Sequence, residues 1–418
     1  MKYLGSQSKC NIGWRFSMAG AAYTYIIIGS GLAGVSAMDG IRERDNKGGI
    51  LLIGAEKHLP YDRPPLSKKL WFGKKKVEEI FLHDQSYYDR KDVTLASGVS
   101  VTSIDAKQKS ITTNKGNTYY YQKLLLATGG VPRTMNLPGG DLEGIFYFRT
   151  LDDYLRLRQE SSEGKTAVVV GGGFIGSELA AALTINRVKV TMIYPEPVLV
   201  SRVFPGYLGK AIRDDYLNRG VTLLAGEKPA SFSKKGNEFI TRTESGKEIT
   251  SDMVVVGIGI VLSLDLPRKA GLQTANGIIV DEYLQTSLPD IYAAGDNAFF
   301  PYRALGKQMR VEHWDNALNQ GKWAGRNMAG AGMPYTYMPY FFSDLFDFGY
   351  EAVGEVDSQL ETFADWQKEN EKGVIYYLRD GKVRGAIMCN VWDKVDAART
   401  LIQADQRVTK KSLRGMIG

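Results

Sequence analysis

One pattern occurs twice in this chain and restricts its fold more than any other feature. A β-branched apolar run enters a glycine-rich turn, and a helix of small apolar residues leaves it. The first copy is Tyr23-Thr-Tyr-Ile-Ile-Ile-Gly-Ser-Gly-Leu-Ala-Gly34 and the second is Lys165-Thr-Ala-Val-Val-Val-Gly-Gly-Gly-Phe-Ile-Gly-Ser-Glu178. In such a turn the first glycine permits the bend, the second clears space for an approaching phosphate, and the third lets helix and strand pack closely. Gly29, Gly31 and Gly34 fill these roles in the first copy. Gly171, Gly173 and Gly176 fill them in the second, with Ile175 beside them. A helix N-terminus facing the turn offers free N–H groups and a positive dipole end to an anion. A single G-x-G-x-x-G is a weak signal, whereas two with the right strand and helix on either side predict two dinucleotide sites.

An acid after the second strand of each unit normally holds a ribose. Glu56 and Glu196 are the candidates, although both sit slightly late, and Tyr194 stands where an acid is more usual. An acid there repels a 2′-phosphate, which favours NADH. Arg187, Lys189 and Arg202 lie near enough to keep NADPH as the alternative.

The 418 residues suggest two to four domains. Each unit is followed by a further glycine-rich strand end, at 123–130 and at 253–259, the latter closing on Gly259. From about Pro334 the texture changes to clustered aromatics and short alternating strands. Asp380-Gly381 reads there as a hairpin turn, and a helix follows over about 393–404. The expected fold class is therefore α/β, with two nested Rossmann-like dinucleotide-binding domains of the glutathione-reductase type and a C-terminal α+β domain. The expected boundaries are 23–150 plus 267–333 for the first domain, 151–266 for the second and 334–418 for the third. Residues 1–22 are expected to be a disordered tail, with Met18 as a candidate native start.

Cys10 and Cys389 form neither a C-x-x-C nor a metal-ligand spacing, and His58, His83 and His313 do not pair at metal distance in sequence. This excludes a disulfide framework and a metal site, and points to the cytoplasm. No apolar run reaches the ~18–20 residues that span a bilayer. The net charge of +7 comes from scattered lysines without aromatic interleaving, which argues against nucleic acid and suits an acidic partner.

Further motifs carry a resemblance over residues 23–405. They are Leu59-Pro-Tyr-Asp-Arg-Pro-Pro-Leu-Ser-Lys68, Ala127-Thr-Gly-Gly-Val-Pro-Arg133, Ile291-Tyr-Ala-Ala-Gly-Asp296 and Val311-Glu-His-Trp-Asp315. With these the chain resembles FAD-dependent pyridine nucleotide oxidoreductases in the branch of ferredoxin and rubredoxin reductases and apoptosis-inducing-factor flavoproteins. The last domain resembles the apoptosis-inducing-factor side most, through Phe342-Ser-Asp344, Gly349-Tyr-Glu-Ala-Val-Gly354 and residues 373–380. The resemblance implies FAD in the first unit and NADH, or NADPH, in the second. It implies that Asp296 meets the ribityl chain and that Arg63 and Arg133 lie near the phosphates or adenosine. It further implies that Thr128 and Gly129 line the cofactor and that Val101 contacts adenine. Trp314 is implied beside the isoalloxazine ring, with Glu312 and His313 next to it. Gly259 is counted with the nicotinamide-nucleotide site. Ala55 stands where relatives usually carry the ribose acid, which leaves Glu56 as the substitute.

The same resemblance puts Lys68 and Glu178 near the flavin as the pair, with Trp314, that carries the chemistry. A buried lysine without a carboxylate would be costly, so a partner is expected. Bland readings stand beside these: Lys68 as a surface lysine, Glu178 as a first-turn acid, His313 as a packed ring, and the aromatic cluster as core. Disulfide reductases of the superfamily use cysteines near the flavin, and this chain has none between Cys10 and Cys389. The expected acceptor is instead a small acidic electron carrier, ferredoxin or rubredoxin, served by a monomer or homodimer. The alternatives are an NADH-responsive redox sensor or scaffold like the apoptosis-inducing factors, and an NADH oxidase or quinone reductase.

Overall fold

The structure, a computed structural model, describes residues 20–417. The expected tail therefore lies almost wholly outside the described residues, as do Met18 and Cys10. Ala21 and Ala22, counted with that tail, already belong to the first strand, Ala21–Ile28.

Ile26, Ile27 and Ile28 are buried on both sides of their strand. Such unbroken apolar runs form the interior of a parallel sheet covered on two faces. Ala21–Ile28 pairs in parallel with Ile50–Gly54 on one side and Thr118–Leu126 on the other. Val93–Ser97 extends the first edge, while an antiparallel pair, Val101–Asp105 and Ser110–Thr113, joins through Thr118–Leu126. The strand Ile291–Ala293 also pairs in parallel with Thr118–Leu126, so a distant segment completes the first sheet.

The second sheet is five-stranded and parallel. Its order is Thr222–Ala225, Lys189–Tyr194, Thr166–Val170, Met253–Val256 and Ile145–Tyr147. Ile145–Tyr147 thus belongs to the second sheet although it precedes residue 151. Between the two units, Gly130–Pro132 and Ile260–Leu262 form an antiparallel ribbon.

Small residues set the helix packing that positions the site. The first helix, Leu32–Arg42, lies against the long helix Trp314–Met328. A Cβ on Gly321 would stand 2.2 Å from the Ala33 carbonyl oxygen, and one on Gly325 would stand 2.0 Å from that of Ala37. The two helices meet backbone to backbone, which fixes Trp314 relative to the first glycine turn.

The C-terminal domain is an antiparallel sheet ordered Tyr340–Leu345, Phe348–Gly354, Lys382–Cys389, Lys372–Arg379 and Glu361–Lys368, with the helix Val395–Gln403 on one face. Asp380 and Gly381 both have positive φ, as a tight hairpin turn requires. Tyr335 and Tyr350 are buried, so much of the aromatic cluster is core.

Candidate functional site

The two glycine turns share one geometry. Gly29 and Gly171 have φ of +113° and +115°. A Cβ would stand 1.9 Å from the Gly29 carbonyl oxygen if placed on Gly34, and 2.0 Å from that of Gly171 if placed on Gly176. The middle glycines differ: around a Cβ on Gly31 or Gly173 there is nothing within 4 Å. Gly31 and Gly173 are also the N-caps of Leu32–Arg42 and Phe174–Ile185, and neither helix has a side-chain cap or an acid in its first turn. Each turn therefore keeps an open space in front of a helix N-terminus with no side chain satisfying it. That is the cradle a pyrophosphate requires.

Around the first turn, the Glu56 carboxylate accepts from Arg63 Nη2 at 2.6 Å and from the Tyr61 hydroxyl at 2.5 Å. Arg63 also donates to the Arg149 carbonyl at 2.9 Å. Both Glu56 oxygens are thus engaged by protein groups on the wall of a small pocket shared with Gly31. Deeper in, Asp296 pairs with Arg149 at 3.1 Å, and Gly129, at φ +56°, leaves its α-carbon face open toward both. Asn297 donates to the Thr128 hydroxyl at 3.0 Å. Arg310 holds the Asp296 carbonyl at 3.1 Å and also bonds the exposed Glu312. Val101 opens its strand at the sheet's edge, opposite Thr113. Arg133 stands apart from these groups: its side chain is exposed on the ribbon, and its N–H donates to the Gly259 carbonyl at 2.9 Å.

At the second turn, Tyr194 is fully buried, and its ring lies 2.9 Å from where a Cβ on Gly172 would stand. The tyrosine ring therefore packs directly against the second glycine turn. Glu196 stays partly open on the rim, and Ile175 is exposed at the start of the helix. A cavity of about 820 Å³ opens here between the second domain and the C-terminal sheet. Phe174, Arg202, His313, Phe341 and Ser358 are among the residues lining it. His313 stacks on Phe341, with ring centroids 4.3 Å apart and planes 12° from parallel. Burial pushes its imidazole down to about 4, so the ring is neutral near pH 7.

Lys68 Nζ lies 2.9 Å from Glu178 Oε1, and both side chains are buried. Lys68 follows the short turn Pro64–Ser67, while Glu178 sits in the second turn of Phe174–Ile185, not in the first. The lysine also stands 5.8 Å above the centre of the Phe342 ring. Trp314 donates its indole N–H to Asp62 at 2.7 Å, which fixes the ring plane. The next residue, Asp315, is buried and takes bonds from Tyr337 at 3.2 Å and Arg399 at 3.3 Å, tying the long helix to the C-terminal domain.

Comparison with known proteins decides the family. The sequence model described as pyridine nucleotide-disulphide oxidoreductase matches residues 23–321. The chain belongs to this family. A second model, described as apoptosis-inducing factor, mitochondrion-associated, C-term, matches residues 324–372 and 364–404 of this oxidoreductase. Apoptosis-inducing factor 1 of Dictyostelium discoideum is 34% identical, over 91% of this chain and 78% of that protein. The ferredoxin–NAD(+) reductase component of the anthranilate 1,2-dioxygenase system of Burkholderia cepacia is 33% identical, over 92% of this chain and 95% of that protein. Among solved structures, putidaredoxin reductase in its covalent complex with putidaredoxin superposes with a TM-score of 0.89 at 28% identity, over 94% of this chain and 96% of that one.

FAD and NAD(H) are the cofactors of the oxidoreductase, and the two open glycine cradles fit their pyrophosphates. Several site residues carry no signal in the sequence alone. Arg149 and Arg310 at Asp296, Asp62 at Trp314, and Ser67 and Ser343 at Glu178 are single polar residues outside any periodic pattern. Asp62, Ser67 and Ser343 do fall inside motifs that carry the resemblance, next to Arg63, Lys68 and Phe342.

Proposed function

We propose that this protein takes hydride from NADH and passes electrons singly to a small acidic carrier of the ferredoxin or rubredoxin class. Bound FAD supplies the conversion of a two-electron donor into one-electron deliveries. The chain's own residues do the rest. The Gly31 and Gly173 cradles hold the two pyrophosphates, and Arg149 with Asp296 orients the first cofactor's chain. Phe174, Phe341 and neutral His313 wall the nicotinamide side of the large cavity, and the stacked pair restricts water there. Lys68 supplies a fixed positive charge that Glu178 holds in place.

The observation that carries this reading is the buried Lys68–Glu178 pair, 2.9 Å apart, where the two nucleotide-binding units meet. Isolated buried charges are expensive, and a pair with no stabilising duty is often replaceable by apolar residues. The acceptor is assigned by elimination and charge. Cys389, the free cysteine among the described residues, is buried in the C-terminal sheet, so no described thiol stands at the cofactor. The net charge of +7 favours association with an acidic partner.

The test is anaerobic stopped-flow reduction by NADH and by NADPH, followed by mixing with oxidised ferredoxin and rubredoxin at several salt concentrations. Fast reduction by NADH and fast carrier reduction that slows with salt are the expected results. The match of the last domain to the apoptosis-inducing-factor model favours a second reading, a redox-responsive scaffold. Fast reduction into a long-lived state that ignores both carriers would select it.

A further inference from the structure

Three segments far apart in sequence meet on one carboxylate. Glu178 Oε1 accepts from Lys68 Nζ at 2.9 Å and from the Ser343 hydroxyl at 2.5 Å, while Oε2 accepts from the Ser67 hydroxyl at 2.5 Å. Ser67 ends the turn Pro64–Ser67 beside the first sheet's unit, Glu178 rides the second unit's helix, and Ser343 lies in the C-terminal strand Tyr340–Leu345. Ser67, Glu178 and Ser343 are 2%, 3% and 1% exposed, so water does not compete for these bonds.

We propose that Ser67 and Ser343 are positioning residues that lock the Glu178 carboxylate, and through it Lys68, in the one orientation that serves hydride transfer. The inference rests on the reading of Lys68 and Glu178 as the pair at the flavin edge. A carboxylate held by lysine alone rotates about its terminal torsion, which is broad and roughly two-fold. Two short hydroxyl donors, one to each oxygen, remove that freedom. Hydrogen bonds to a charged group are also among the stronger ones in a protein. Two buried phenols stand nearby, and that of Tyr350 has no hydrogen-bond partner of its own among the described residues. The Tyr216 hydroxyl is spent on the Ser177 carbonyl at 2.9 Å. Burial and the Glu178 charge keep the Tyr216 and Tyr350 phenols protonated, so the lysine is not drawn to either. Because each serine comes from a different unit, the lock closes only when all three units are docked.

The test uses the FAD-loaded holoenzyme with Ser67→Ala, Ser343→Ala and Ser343→Thr. The reduction rate constant and the NADH dissociation constant are read separately, together with the flavin midpoint potential and thermal unfolding. Each alanine variant is expected to lower the rate constant about tenfold. NADH affinity should stay within about twofold. The potential should move away from the parent value, and Ser343→Thr, which keeps the hydroxyl, should restore both rate and potential. Parent rates and potentials in both alanine variants would overturn the proposal, as would a threonine variant that behaves like alanine. Ser67→Ala decides the matter should Ser343→Ala fail to fold. Lys68→Ala separates the two levels: if it is slow while both serine-to-alanine variants run at the parent rate, only this proposal falls. If Lys68→Ala is itself at the parent rate, the reading of the pair falls with it.

Discussion

A β-carbon on Gly176 would stand 2.0 Å from the carbonyl oxygen of Gly171, whereas one on Gly173, three residues earlier, would touch nothing within 4 Å. The same motif therefore contains one glycine required by the fold and one required by the ligand. Gly176→Ala is expected to destabilise the second domain by about 3 kcal/mol, since backbone cannot move aside as a side chain can. Gly173→Ala should fold normally and weaken NADH binding about tenfold or more by filling the phosphate cradle. Urea unfolding and calorimetric titration of both variants check the contrast. Equal stability in the two would refute it.

Lys68→Ala should slow flavin reduction by about 30-fold, because a preorganised buried charge is lost. FAD should remain bound, since the lysine is not part of either glycine cradle. Stopped-flow rates and the flavin content of the purified variant give the answer together. A variant that reduces normally would remove Lys68 from the chemistry.

His313 gives the protein a stability slope in mild acid. Its folded value is pushed from 6.5 down to about 4, so the unfolded chain binds a proton in that window and the folded one does not. The stabilising contribution is complete above the unfolded value and is lost as pH falls toward the folded one. The loss should be on the order of 2 kcal/mol, less than the full shift implies, because one face of the ring opens on the cavity. Unfolding of the parent and of His313→Leu at about pH 7.5 and about pH 5 isolates it. An equal slope in both proteins would assign the effect to other groups.

Cys389 is expected to be inert. Burial raises its thiol well above the ordinary range, leaving almost no thiolate to react. Peptide mapping after maleimide treatment should find Cys389 unlabelled in the native protein and labelled once it is unfolded. Rapid native labelling would mean that the C-terminal sheet opens.

What was legible in the sequence was whatever repeats locally. The glycine turns announce themselves because strand, bend and helix follow within a dozen residues, and the Asp380-Gly381 hairpin is equally local. Element ends are legible to within a residue or two: the last domain's helix, expected over about 393–404, spans Val395–Gln403. What was not legible depends on segments that meet only in three dimensions. Ser67 and Ser343 lie 111 and 165 residues from Glu178, and no periodicity links them. Arg149 and Asp296 are 147 residues apart. Glu56 is a ribose candidate by its place after the second strand, and local sequence could not reveal that Arg63 and Tyr61 also bond its carboxylate.

The placement of Ile291–Ala293 in the first sheet bears on the order in which this chain matures as it is synthesised. The second sheet has all five of its strands once Met253–Val256 has been made, while the first sheet still lacks one. The unit that starts first therefore finishes later, around a neighbour that already has its complete sheet. Domains emerging from the ribosome generally fold as units in chain order. Here the nested arrangement reverses that order, and the earlier sheet must wait with the Leu124–Leu126 end of Thr118–Leu126 unpaired on one side until its last strand arrives.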